Sequence, residues 1–319
     1  MEFKSAATAI VAIVCTLFLG GCGGTGATGT LGLGNPNSPP PSGSPAVPHI
    51  SHVVLVMEEN HSFADVAGSA AMPYLNSLAQ QYSLMTQYYA DTHPSIGNYF
   101  ELTTGQIITN DDAFSGTVSD ANLARQFATD QKSWRVYAEG LPATGYTGGD
   151  VYPYARHHNP FSYFSDVINS AAAQQNLVAF SQFSADLNAG SLPAFSLVIP
   201  NLNNDAHDCP AGMATCADSD KLAAADAWLR NNIAPLLSSS QFQASGLLFI
   251  VFDESEIIDI VNGGGHVAAI AAGTQVKGGY QATATYQHQN LLSTVCAAMA
   301  LTACPGAGQS AAPISEIFK

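Results

Sequence analysis

Two short, unbroken apolar runs, Val53–Met57 and Gly246–Phe252, constrain this chain most. Each is long enough for one strand and no more. Each ends abruptly in acid, Glu58-Glu59 after the first and Asp253-Glu254 after the second. A strand apolar on both sides of its pleat must be covered on both faces, which is the situation inside a parallel sheet flanked by helices. Ser133–Ala138, Phe195–Ile199 and Val267–Ala271 read as further strands. Helical spacing separates them. It is seen over Tyr74–Tyr82, with Pro73 suited to a first helical position, and over Lys221–Ala234, where Leu222, Ala225, Trp228, Leu229 and Ile233 share a face. Pro235 should stop or kink that second helix, and Asn290–Leu301 reads as a closing helix. The expected fold is α/β, a three-layer sandwich with a mostly parallel central sheet. No repeat or second linker interrupts it, so residues 49–319 are expected to form one domain.

The N-terminal residues follow other rules. An apolar run from Ala6 to Leu19 follows Lys4 and is too short to span a bilayer comfortably. It ends in Leu19-Gly20-Gly21-Cys22, which resembles the lipobox of bacterial lipoproteins, where the cysteine is lipidated. Residues 1–22 are therefore expected to be a lipoprotein signal peptide, with an ordinary signal peptide as the alternative. From Gly23 to Pro48 the chain is mostly Gly, Thr, Ser, Pro and Asn, a composition that cannot offset its ordering entropy and suits a flexible tether. The expectation is an exported bacterial lipoprotein, anchored to a membrane on the periplasmic or extracellular side. Four cysteines remain in the rest of the chain, Cys209, Cys216, Cys296 and Cys304. An oxidising compartment would pair them; three pairings are open, and two local loops are the simplest.

Charge excludes one class of partner. Nine Lys+Arg face 24 Asp+Glu, a net charge of −15, which repels polyanions and disfavours nucleic acid. An enzyme that works at low pH would suffer less from this self-repulsion. Nothing in the sequence calls for more than a monomer.

Polar residues gather where the strands end, and that is where ligands sit in open α/β sheets. The clusters are Glu58-Glu59-Asn60-His61-Ser62-Phe63, Thr92-His93-Pro94-Ser95-Ile96-Gly97-Asn98-Tyr99, Pro200 to Cys209, Asp253-Glu254-Ser255-Glu256, and Gly263-Gly264-Gly265-His266. Carboxylates and amides after buried strands are costly unless they bind something, and oxygen ligands suit a hard divalent cation. Ser95 would begin a helix, where free N–H groups can hold an oxyanion, and a nearby metal would activate its hydroxyl. The alternative for Ser95 is a simple helix cap. One or two divalent cations of unspecified identity could be held, enough to clamp a phosphoryl group.

These segments, with Arg156-His157-His158-Asn159-Pro160-Phe161 and Asn204-Asp205-Ala206-His207-Asp208, look like the bacterial and fungal phosphoesterase family. That family holds acid phosphatases and phospholipases C, and its core resembles the alkaline phosphatase superfamily. The resemblance runs from about His52 to Ala300 and carries roles residue by residue. Glu59 and Asn60 match a metal-binding pair, and Asp253 and Glu254 match the acidic pair after the central strand. Ser95 matches a metal-bound nucleophile that becomes phosphorylated, and Asn98 matches a donor to the phosphate. Asp205 and His207 resemble second-site ligands or acid/base groups, His266 resembles a late histidine ligand, and His158 a substrate contact. His207 or His93 would protonate the leaving alkoxide.

The chain also departs from the family pattern. Ile96-Gly97 replaces a common Leu-Pro, and Glu254 stands where the superfamily commonly has histidine. The large phospholipases carry further C-terminal domains, whereas this chain stops soon after the closing helix. The resemblance thus implies an acid phosphatase acting on a phosphate ester through a phosphoserine. A phospholipase C, favoured by any apolar surface formed by Tyr152, Tyr154, Phe161 and Tyr163, and a non-catalytic phosphate- or metal-binding lipoprotein are the alternatives.

Overall fold

In the computed structural model, which describes residues 46–319, the strands are β1 (His52–Glu58), β2 (Ser83–Met85), β3 (Trp134–Ala138), β4 (Leu177–Ala179), β5 (Phe195–Ile199), β6 (Gly246–Phe252), β7 (Ala269–Gly273) and β8 (Tyr280–Ala282). They form one sheet in the order β4-β3-β5-β1-β6-β7-β2-β8. The signal segment, Cys22 and most of the tether lie outside the described residues.

The apolar runs explain the centre of this sheet. Every residue of β5, β6 and β7 is buried, and all of β1 beyond His52. Successive side chains point to opposite faces, so both faces are covered, as a three-layer α/β arrangement requires. β1 runs parallel to β5 on one side and to β6 on the other, with Val53 opposite Phe195 and Leu247. β7 alone runs antiparallel to both its neighbours, β6 and β2. Its strand begins at Ala269, two residues later than the apolar run suggests. The three-residue strands β2, β4 and β8 escape sequence reading because they are too short to show a period.

The helices follow their sequence cues closely. Pro73 occupies the first position of the Pro73–Gln81 helix. The Asp218–Asn232 helix stops at Ile233, and a separate Ala234–Ser238 helix starts with Pro235 in its first turn. The closing helix spans His288–Ala298. Among the described residues, no helix is long and apolar enough to cross a membrane. Disulfides join Cys209 to Cys216 and Cys296 to Cys304. Three aromatic residues read as a possible apolar surface are interior. Tyr154, Phe161 and Tyr163 are buried, with Phe161 packed against Trp134 at 4.8 Å between ring centroids, and only Tyr152 is exposed.

Candidate active site

The adjacent parallel strands β5, β1 and β6 end side by side, and the segments that follow them are stitched together by backbone. Glu59 N–H donates to the Asp205 carbonyl at 2.8 Å, and Asp253 N–H donates to the Glu58 carbonyl at 2.9 Å. Asn60 turns the chain in the left-handed region at φ 48°, and its N–H donates to Asp253 Oδ1 at 3.2 Å. Strand order thus brings together acids that are nearly 200 residues apart in sequence.

Ser95 arrives from the other direction, as the first residue of the Ser95–Thr104 helix, whose N-cap is Pro94. Gly97 lets this helix sit close to its surroundings. A Cβ there would fall 2.4 Å from Asn110 Oδ1 and 2.5 Å from Thr92 Cγ2, which accounts for glycine at this departure from the family pattern. The buried Ser95 Oγ lies 3.2 Å from Glu59 Oε2, 3.2 Å from Glu254 Oε1 and 3.5 Å from Asn60 Oδ1. One hydroxyl proton cannot satisfy three acceptors, so this is an oxygen cage short of positive charge. The helix start is not an empty anion cradle either, because the Ile96 N–H donates to Asp112 Oδ1 at 3.1 Å.

Beneath the serine, Glu59, His158 and Asp205 each offer a ligand atom, all within 4.8 Å of one another. His158 Nε2 is 3.4 Å from Glu59 Oε1, and its Nδ1 is 3.8 Å from Asp205 Oδ2. Asp205 Oδ2, Asp253 Oδ2 and His158 Nε2 are buried without a hydrogen-bond partner. Burial, reinforced by Asp253 and Asp205, pushes the Glu59 carboxyl well up. Burial does the same to Asp205 and to Asp253, the latter aided by the Glu254 charge. Burial also pushes His158 well down, with His157 and His207 adding to it, so its imidazole is neutral and can coordinate. Unpartnered buried acids around a neutral imidazole fit a divalent cation, which would supply the missing charge.

Tyr99 has a part that sequence reading missed. Its hydroxyl donates to Glu59 Oε1, and its ring stacks on His158 at 5.1 Å. The signal was available, since Tyr99 is four residues after Ser95 and so shares its helix face.

Four of the expected residues are engaged in contacts other than those their expected roles call for. His158 is 1% exposed and sits in the acid cluster with Glu59 and Asp205. The Asn98 side chain, also buried, is taken up by the preceding loop. Its Oδ1 accepts from Asp91 N at 2.9 Å and Thr92 N at 3.2 Å, and its Nδ2 donates to the Thr92 carbonyl at 2.9 Å. Both polar atoms of its amide are thus engaged within the loop that leads to Ser95. His93 has both ring nitrogens engaged, Nδ1 with Glu254 Oε2 at 2.7 Å and Nε2 with the Asp259 carbonyl at 2.9 Å. The Glu254 contact pushes its pKa up, and with both ring nitrogens engaged His93 has none free for a leaving group. His266 is not drawn into the acid cluster. Its ring stacks on Phe63 at 4.4 Å and Tyr89 at 4.8 Å, and Nε2 donates to the Thr86 carbonyl at 3.0 Å. The glycines before it serve packing, since a Cβ on Gly263 would lie 1.9 Å from the Asp91 carbonyl oxygen.

His207 remains available. It lines a cleft of about 420 Å³ together with Asn60 and Glu254, both of which contact Ser95, and Lys221. Asp208 Oδ1 accepts from its Nδ1 at 2.9 Å, which leaves Nε2 for chemistry.

A serine caged by acids at the carboxyl edge of a mostly parallel sheet defines a class, the hydrolases of phosphate esters built on the alkaline phosphatase fold. Solved structures support the fold. The chain is similar to an alkaline phosphatase superfamily protein from Vibrio parahaemolyticus, with a TM-score of 0.59 and 13% identity over 81% of this chain and 69% of that one. It is also similar to the lipoteichoic acid synthase LtaP of Listeria monocytogenes, with a TM-score of 0.60 and 9% identity over 86% and 79%. The chain belongs to the Phosphoesterase family, which it matches over residues 69–302. It is 32% identical to a phosphatidylinositol-3-phosphatase of Mycobacterium tuberculosis over 86% of this chain and 84% of the relative. It is 32% identical to a phosphate-repressible acid phosphatase of Penicillium chrysogenum over 59% of this chain and 45% of the relative. The chain spans about half the length of the fungal relatives it matches.

Proposed function

We propose that this phosphate-ester hydrolase is a metal-dependent acid phosphatase that works through a phosphoserine at Ser95. The observation that carries this reading is the position of Ser95 Oγ within reach of Glu59, Asn60 and Glu254, beside ligand atoms that are buried and unpartnered. Glu59, His158 and Asp205, with Asn60, Asp253, Glu254 and Ser95, would hold the cation, whose Lewis acidity makes the serine hydroxyl easier to deprotonate and neutralises phosphoryl oxygens.

The chain's own groups perform the remaining steps. Glu59 or Glu254 takes the Ser95 proton as Oγ attacks phosphorus and the P–O bond to the leaving group breaks. His207 Nε2 protonates the departing alkoxide. It then takes a proton from the water that attacks the phosphoserine, while the carboxylate that took the Ser95 proton returns it to Oγ as that P–O bond breaks, which frees inorganic phosphate and restores Ser95. Tyr99 and His93 keep Glu59 and Glu254 aimed at the serine. Lys221 lines the cleft and, though paired with Asp218 at 3.2 Å, lies where it can meet the substrate's charge.

Turnover of an aryl phosphate, measured from about pH 4 to 9 after chelation and metal add-back, tests this reading. Activity that needs the metal, peaks in the acid half of that range and vanishes in Ser95→Ala is expected. An active Ser95→Ala variant would refute the serine route. We also place the chain outside the cytoplasm, lipid-anchored through Cys22; the two disulfides support export.

A further inference from the structure

Ile257, Ile258, Ile260 and Val261 are 69%, 83%, 71% and 43% exposed, so half of the exposed large apolar side chains among the described residues fall in one five-residue stretch. Turns begin at Ile257 and again at Val261. Such positions ordinarily carry Gly, Asn, Asp or Ser, because the side chains there meet water. Clustered apolar exposure of this kind marks a contact surface.

We propose that this loop is an interfacial anchor that seats the mouth of the active site on a zwitterionic lipid surface. Three observations select that partner. The loop is continuous with the cleft, which Ile257 and Ile258 line alongside Asn60, His207 and Glu254. An apolar surface seated there would therefore bring the cleft to whatever ester the surface presents.

The loop is also held in place relative to Ser95. The Asp259 carbonyl accepts from His93, which holds Glu254, which contacts Ser95 Oγ. Asp259 Oδ1 accepts from Val261 N at 3.1 Å and Oδ2 from His266 N at 2.9 Å, and Gly265 N–H donates to the Val261 carbonyl at 2.9 Å. The isoleucines thus sit on a turn that hydrogen bonds tie to the groups around Ser95.

Charge selects the type of surface. No Lys or Arg occurs between Arg230 and Lys277, Glu256 and Asp259 flank the isoleucines, and Lys221, which lines the same cleft, is paired with Asp218 at 3.2 Å. Docking on anionic lipid relies on basic clusters, which this segment lacks, so insertion rests on apolar side chains into a bilayer without net charge.

The inference rests on the phosphatase reading only for its rate measurement; insertion is read separately. In the full chain, Ile260→Trp serves as the reporter, mixed with phosphatidylcholine vesicles with and without acyl-chain bromination. A blue-shifted emission quenched by the brominated lipid, over and above that of the parent chain with its buried Trp134 and Trp228, is expected, and that difference reports the loop whatever else holds the chain at a bilayer. Rates are then compared for phosphatidic acid diluted in phosphatidylcholine vesicles and for a soluble aryl phosphate. Ile258→Asp/Ile260→Asp should lower the vesicle-to-soluble ratio of kcat/KM by at least about fivefold. An unshifted reporter, or an unchanged ratio, overturns the anchor. A dimer of the parent chain that the double variant abolishes also overturns it, in favour of a second copy as occupant. Failure of the parent chain to hydrolyse the soluble ester would instead sink the phosphatase reading and leave the fluorescence result standing.

Discussion

Replacing Asn98 with alanine separates two roles that one residue could have near a phosphoryl site. As a phosphate donor, Asn98 would contribute to substrate affinity and little to folding. In the structure its amide satisfies the Asp91 and Thr92 N–H groups and the Thr92 carbonyl, all within the loop that leads to Ser95. Alanine leaves these three groups without that partner. A buried group left unmade costs about 1–3 kcal/mol, and neighbours in one network do not add fully, so a loss of about 3–4 kcal/mol is expected. At about 2–4 °C per kcal/mol for a chain of this size, the melting temperature should fall by roughly 6–16 °C. Asn98→Asp keeps both N–H acceptors but sets a carboxylate against the Thr92 carbonyl, so its loss should be intermediate. Thermal unfolding followed by circular dichroism gives the stability, and inhibition by inorganic phosphate gives the affinity. If Asn98→Ala melts within about 2 °C of the parent and phosphate no longer inhibits it, the loop-bracing role is wrong.

Other expectations follow from the same geometry. Chelation should lower the melting temperature, and a divalent cation at about a hundred times its dissociation constant should restore about 2.7 kcal/mol, roughly 5–11 °C; Asp205→Asn or His158→Ala should abolish that gain in differential scanning fluorimetry. Burial pushes Glu101 up to about 7. Between about pH 4.5 and 7 the folded state keeps a proton that the unfolded state has lost, so stability falls as pH rises through that window and levels off above it. Glu101→Gln should flatten this slope and gain on the order of 2 kcal/mol at pH 8 in urea unfolding; an unchanged slope would discount the group. His266→Phe should retain metal affinity by isothermal titration, because that ring stacks on Phe63 and Tyr89 away from the acids; a large loss would restore it as a ligand.

Much of this arrangement was legible in the sequence, for reasons that vary by residue. The apolar runs at β1, β5 and β6 are covered on both faces, so their composition alone marks central parallel strands, and the acids that follow them are at the site for the same reason. Glu59, Asn60, Ser95, Asp205, Asp253 and Glu254 all converge as their positions after strands and at a helix start suggest. The roles of histidines and amides were harder to read. Such a group can ligate, donate or brace, and the choice depends on what reaches its second atom. His93 is committed by Asp259, 166 residues away, and His266 by Thr86, 180 residues away. Three-residue strands show no period, and rings such as Phe161 and Tyr163 follow no pattern that separates core from surface. Tyr99 could have been found by counting four residues along the helix from Ser95.

The most direct measurement of the central claim is mass spectrometry of the protein quenched in acid during turnover of an aryl phosphate with its divalent cation present. The expected result is one added phosphoryl group on the peptide containing Ser95, lost on chelation before substrate is added and absent from Ser95→Ala. Steady turnover with no phosphoryl group on that peptide, or with the group on His207 or another residue, would contradict it.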